Sequence, residues 1–216
     1  MLVKRVLIVT AVSLLLPGLA LAQVGGTQHD LTGLVGDTAE RVCAYCHTPH
    51  MAAAATSQYP LWNRNLSGNA VYGVYGSSTL NASDIADIGA ASIGTATTTH
   101  LCMSCHDGTI ALGSLYNPPN SGNVTTIGVI GNIGGTNADM GTSLSDDHPV
   151  NFTYNTALAT ADGELADPTV NPVLALLDGN GKVQCSSCHD PHDASNANFL
   201  VIDNTGSTLC STCHEK

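Results

Sequence analysis

The chain has 216 residues, a formal net charge of −11 and six Lys and Arg against seventeen Asp and Glu, which argues against nucleic acid or anionic lipid as a partner, since both need clustered basic side chains. Two Phe, one Trp and six Tyr are few for a core of this length, so bulky apolar mass has to come from something other than ordinary side chains.

The chain begins with Lys4 and Arg5, an apolar run from Val6 to Leu16, then Pro17, Gly18 and the small-residue pattern Ala20-Leu21-Ala22. That order predicts a secretory signal peptide over 1–22, cleaved before Gln23. The run is short for a bilayer, and no later stretch could span one, so 23–216 is expected to be a single exported domain with no membrane span. Cleavage leaves Arg41, Arg64, Lys182 and Lys216 as the basic residues, and the acidic surface reads most simply as a solubility device.

Next comes "TQHDLTG" with His29, which by position alone reads as a flexible polar terminus, and then "VCAYCHTPH" at 42–50. Helical periodicity predicts short helices around Ser83 to Ala91 and Val173 to Leu177, with short helical turns at the cysteine motifs. His100 stands directly before "LCMSCH". "SLYNPPNSGN" and "GNIGGTNADMGTS" read as loops, and "NVTTIGVI" as a short strand pair. "SDDHPVNF" holds His148, which is either a ligand supported by Asp146 or Asp147 or a surface histidine in a polar loop. "CSSCHDPH" and "LCSTCH" close the chain. The short N-x-[ST] sequences at Asn65, Asn81, Asn123 and Asn151 are what an Asn/Ser/Thr-rich composition produces by coincidence.

All eight Cys fall into four Cys-x-x-Cys pairs: Cys43/Cys46, Cys102/Cys105, Cys185/Cys188 and Cys210/Cys213. Each pair is followed at once by a histidine, His47, His106, His189 and His214. Cys-x-x-Cys-His is the attachment pattern of c-type haem. Two thiols one helical turn apart meet the two vinyl groups of a porphyrin, and the next residue supplies the proximal ligand to its iron. A zinc ribbon uses paired Cys-x-x-Cys but has no reason to place His after every pair. An extracellular disulfide framework fits the even count but not the invariant His. The expectation is four haem c groups, one per motif.

Five histidines remain for the opposite faces: His29, His50, His100, His148 and His192. His50 lies three residues past His47, and His192 three past His189, each behind a proline. Three residues cannot carry a chain around a porphyrin, so each must serve a haem other than its own. Pro49 and Pro191 break the local helical course and aim the next side chain away. His100 is too close to its own attachment motif to cross over and reads as the spare. Met103 sits inside a motif, and Met51 and Met140 lie in small-residue loops, so Met ligation is not expected while His remain.

The stretches "QHDLTG", "CAYCHTPH", "PLWNR", "LCMSCHDGTIALGSLYN", "LSDDHPVNFTY", "CSSCHDPH" and "LCSTCH" together resemble the multihaem c-type cytochromes of metal-respiring bacteria, most closely the tetrahaem filament-forming extracellular cytochromes, the OmcE-like cytochrome nanowires. The resemblance implies mostly irregular backbone with short helices at the haem motifs, organised around stacked haems. It implies that His29, His50, His148 and His192 are the distal ligands, with His29 donated across an interface in a head-to-tail homopolymer. The expected role is then electron transfer to redox partner proteins or extracellular acceptors, with no catalytic residues. The competing classes are a monomeric periplasmic shuttle and a multihaem reductase with one open iron.

Overall fold

The computed structural model describes residues 23–35, 41–50, 52, 61–66, 68–69, 71–89, 98–118, 131–169 and 172–215. The expected signal peptide, the strand pair at 123–130, and Met51 lie outside these residues. Most of the described backbone is turn, bend or irregular. Among the described residues five short α-helices occur: α1 (Thr32–Val35), α2 (Thr98–His106), α3 (Thr156–Asp162), α4 (Val173–Leu176) and α5 (Thr208–Cys213). Two two-residue strands, β1 (Phe152–Thr153) and β2 (Lys182–Val183), pair antiparallel with Phe152 opposite Val183. None of the described helices is long and apolar enough to cross a membrane.

Local chemistry accounts for where these elements stop. Asn155 caps α3 by accepting from the Leu158 N–H at 2.9 Å, and Gly163 ends it at φ 75°, where its N–H returns to the Ala159 carbonyl. The turn into β2 is held by Asp178, whose Oδ1 accepts from the N–H groups of Asn180 and Lys182. The helix expected at Val173 to Leu177 is present as α4. The one expected around Ser83 to Ala91 is absent over 83–89. There Asp84 accepts from the Thr153 backbone and hydroxyl, Asp87 accepts from the N–H groups of Tyr72 and Gly89, and the Ala86 N–H bonds to the Asn151 carbonyl. Carboxylates bonded to backbone elsewhere hold this stretch extended against its apolar period.

Apolar side chains gather in separate small clusters. One joins Phe152, Tyr154, Ala159, Ala166, Val173 and Val183, another joins Leu31, Tyr45 and Leu115, and a third joins Tyr72, Ile88, Met103 and Leu144. Polar bridges connect them. Asn63, 1% exposed, donates to the carbonyls of Ala44 and Asn117 and accepts from the Asn117 N–H, so it fastens the first cysteine motif to the segment after the second. Thr99 in α2 donates to Gln184 Oε1 at 2.7 Å and accepts from the Cys185 N–H, and Thr98 meets the Ser186 hydroxyl at 2.6 Å. The second motif is thereby docked on the third. Asn151, one of the candidate glycan acceptors, is buried and donates its amide N–H to the Ala86 carbonyl, which removes it from that role.

Replacing Asn63 by Ala strips three buried hydrogen bonds without a substitute partner, and is expected to lower unfolding free energy by about 3 kcal/mol in a denaturant titration.

Candidate haem-ligand site

Each Cys-x-x-Cys pair sits on a short helical turn. The first and third occupy 3-10 turns, Val42–Tyr45 and Cys185–Ser187, and the second and fourth lie in α2 and α5. Three of the motifs share a backbone clamp that no residue pattern announces. After the first, the Thr48 N–H donates to the Leu61 carbonyl and the Asn63 N–H donates to that of Cys46. After the third, Asp190 donates to Phe199 and Val201 to Cys188. After the fourth, Glu215 donates to Glu164 and Ala166 to Cys213. In each case a crossing segment of three residues grips the proximal histidine from both sides, as the bridges His47 to Trp62, His189 to Leu200 and Leu165 to His214 record. The second motif is gripped differently, through the Met140 N–H on the His106 carbonyl at 2.7 Å.

At equivalent places in two clamps the chain turns left-handed on residues that resist it, Leu61 at φ 56° and Phe199 at φ 59°. Phe199 uses that conformation to lie face-on against His29, with ring centroids 4.5 Å apart and planes at 20°.

Three proximal histidines face a second imidazole. His47 and His192 have centroids 6.0 Å apart at 19°, His29 and His106 are 6.2 Å apart at 85°, and His148 and His214 are 6.3 Å apart at 75°. These separations lie within the range of ordinary ring pairs, and they also match a second arrangement. A metal bound by imidazole nitrogens at about 2 Å on both sides separates the two centroids by roughly 6 Å, so each gap has the width of one coordinated ion. Backbone carbonyls occupy the other ring nitrogen where it is needed. His106 Nδ1 donates to Ala138 at 2.8 Å, His189 Nδ1 to Asn198 at 2.9 Å, and His148 Nδ1 to Pro149 at 3.0 Å. His192 Nδ1 lies 3.4 Å from the Asp190 carboxylate. With Nδ1 engaged, Nε2 is the nitrogen left for iron. Among the described residues no group of three or more His, Cys, Asp or Glu is set to hold a bare metal ion, so two imidazoles per centre suit an iron whose other ligands come from a porphyrin. The residues present therefore fit haem c.

Within the chain His29 lies beside a proximal histidine. It was expected to be donated to a neighbour, yet it faces His106 of the same chain, and burial first and the nearby His106 second hold its imidazole below the ordinary histidine range. The turn that carries it is used twice. Gly26 and Gly135 both have φ 76°, and their N–H groups donate to Asp30 and Asp139 at 2.8 Å. In both copies Thr27 or Thr136 also accepts from the N–H two residues on. The first copy brings His29 to face His106, and the second brings the Ala138 carbonyl to the same ring's Nδ1. The repeated G-G-T-x-x-D at 25–30 and 134–139 was the signal for this.

His50 and His189 are both exposed and neither faces another histidine ring. His100 is fully buried, both ring nitrogens lack a partner, and burial keeps it neutral against the opposing pull of Asp107. Among the described residues it faces no other histidine ring.

The cysteines are neighbours in the order of their motifs. Burial pushes the Cys46 thiol up to about 11, with Cys105 close enough to add to the shift. Cys102 donates to Cys185, which raises the first and draws the second down to about 7. Burial also raises Cys188 and Cys213, and Cys210 stands close enough to both to contribute.

Leu61 is 52% exposed, so Leu61→Gly removes left-handed strain while losing little packing, and is expected to raise unfolding free energy by about 1 kcal/mol in the same titration. Phe199→Gly is expected to lose stability instead, because the His29 stack goes with it.

No curated protein matches the chain. The family described as Doubled CXXCH motif matches residues 179–216, which hold the third and fourth motifs. A doubled CxxCH indicates a multihaem c-type cytochrome that binds haem c covalently.

Proposed function

We propose that the chain is an exported electron carrier with four haem c groups, each iron held between two histidines, and that it works as a protomer of a head-to-tail filament. The observation that carries this reading is the arithmetic of the imidazoles. Three proximal rings face a distal ring across 6.0 to 6.3 Å, while His189 has its Nδ1 engaged and an exposed ring with no imidazole opposite. His50 is its counterpart, exposed and unmatched, on a loop fixed from below. There the Thr48 hydroxyl and the Asn117 amide both donate to the His50 carbonyl. One chain's His50 completing the His189 site of the next would close every centre and join the copies. His50 takes the interchain role that the resemblance gave to His29.

Haem c supplies a one-electron ferric/ferrous couple. The protein's part is to hold that couple with little rearrangement. The clamps, and the Nδ1 hydrogen bonds of His106, His148 and His189, hold rings in one orientation, and paired imidazoles leave no ligand to gain or lose on electron transfer. The closeness of Cys46 to Cys105, of Cys102 to Cys185 and of Cys188 to Cys210 supports a path running in motif order from first to fourth. The secretory pattern at the N-terminus supports extracellular or periplasmic placement, and the acidic surface suits a soluble particle.

A second reading draws on the same unmatched His189. Its iron would be open to a small ligand, as in a multihaem reductase. The test is carbon monoxide added to reduced protein. Wild-type assemblies are expected to contain four haems per chain by pyridine haemochrome assay and to show no carbon monoxide spectrum. His50→Ala is expected to give single particles in which one haem in four binds the gas. Filaments that persist in His50→Ala with all irons six-coordinate would sink the proposal, and wild-type filaments that bind the gas would favour the reductase.

The paired rings also predict an intrachain vacancy. His192→Gly removes the partner of His47, so it is expected to expose one additional carbon monoxide site per chain while His29 and His148 keep theirs closed.

A further inference from the structure

Arg64 is 1% exposed, the largest fully buried side chain among the described residues. Its Nη1 donates to the Leu112 carbonyl at 2.8 Å and its Nη2 to the Ala111 carbonyl at 3.1 Å, while Nε has no partner. No carboxylate of the described residues forms an ion pair with it. A guanidinium stays protonated, and burying one against two neutral carbonyls without a paired carboxylate is costly.

Its position shows what the field acts on. Arg64 follows the Trp62–Asn63 stretch that clamps the first motif, and its backbone bridges Leu115, after the second. Its guanidinium reaches the carbonyls five and six residues past His106. The side chain therefore runs from the segment that clamps the first attachment motif to the segment that follows the second.

We propose that Arg64 is a fixed internal cation that raises the reduction potentials of the haems at the first two motifs relative to those at the third and fourth. The proposal rests on the haem reading above. A unit positive charge disfavours the ferric state, which carries one more positive charge than the ferrous. At an effective dielectric of about 20 and a separation of about 10 Å, it changes the ferrous-to-ferric ratio roughly tenfold at a given potential. Burial keeps salt from screening it. Arg64 touches no axial ligand, so it is a tuning residue that makes the first half of the chain of centres the more easily reduced half.

The test is a spectropotentiometric titration of the haem-loaded protein, with haem content measured alongside. Arg64→Gln keeps hydrogen-bond donors but loses the charge, and two of four midpoint potentials are expected to fall while the other two stay. Arg64→Lys keeps the charge at neutral pH and is expected to retain all four midpoints. A buried lysine gives up its proton more readily than arginine, so raising the pH is expected to lower the same two midpoints in Arg64→Lys and not in wild type. The other groups near this position are the Cys46 and Cys105 sulfurs, uncharged as thioethers, and the buried Asp107 carboxylate beyond Cys105, which accepts from the Tyr72 hydroxyl. If Arg64→Gln does not accumulate as haem-loaded protein, the lysine variant decides. Four unmoved midpoints in fully loaded Arg64→Gln, or a lysine variant that tracks wild type across pH, overturn the proposal. A wild-type chain without pyridine haemochrome bands overturns the haem reading instead.

Discussion

Three pairs of histidine rings, their centroids 6.0 to 6.3 Å apart, organise this molecule. Each joins two rings from distant parts of the chain: His47 with His192, His29 with His106, His148 with His214. Long irregular segments would ordinarily be poor at that, because every loop adds conformational freedom that must be removed. Here the freedom is removed where it matters, at the residues directly flanking three of the four proximal histidines. Two backbone hydrogen bonds there act on groups with no side-chain torsions to average over.

The rest of the packing follows from that arrangement. Small separate apolar clusters replace a continuous core, and buried polar hubs such as Asn63 and the Thr99–Gln184 pair span the distances between them. A core of this kind excludes little water by itself. Porphyrin faces would complete it, which explains why a chain so poor in aromatic residues can fold around its motifs at all.

The chemistry was far more legible in the sequence than the architecture. Cys-x-x-Cys-His carries its meaning in residue type and spacing, so four such motifs and a surplus of histidines could be read directly. The helical turns at the motifs were legible for the same reason. The clamps were not, because Leu61, Phe199 and Glu164 contribute only their carbonyls and have no common side chain. The extended course of 83–89 was hidden because Asp84 and Asp87 are bonded to backbone far away in sequence, and an apolar period cannot report that. His29 looked like a tail residue, since position suggested disorder and only the repeated turn, compared with its second copy, showed a built structure.

That repeated turn has a consequence for how such centres can arise. One short loop, closed on itself by an aspartate and a left-handed glycine, delivers a ring to one side of His106 and a carbonyl to the other. What differs is whether the residue before the aspartate is His29 or Ala138. Because the loop's geometry is internal, it is a transplantable part. Grafted beside an unsupported histidine in another protein, it could furnish an opposing ring through a histidine before the aspartate, or an orienting acceptor through the backbone carbonyl at that position.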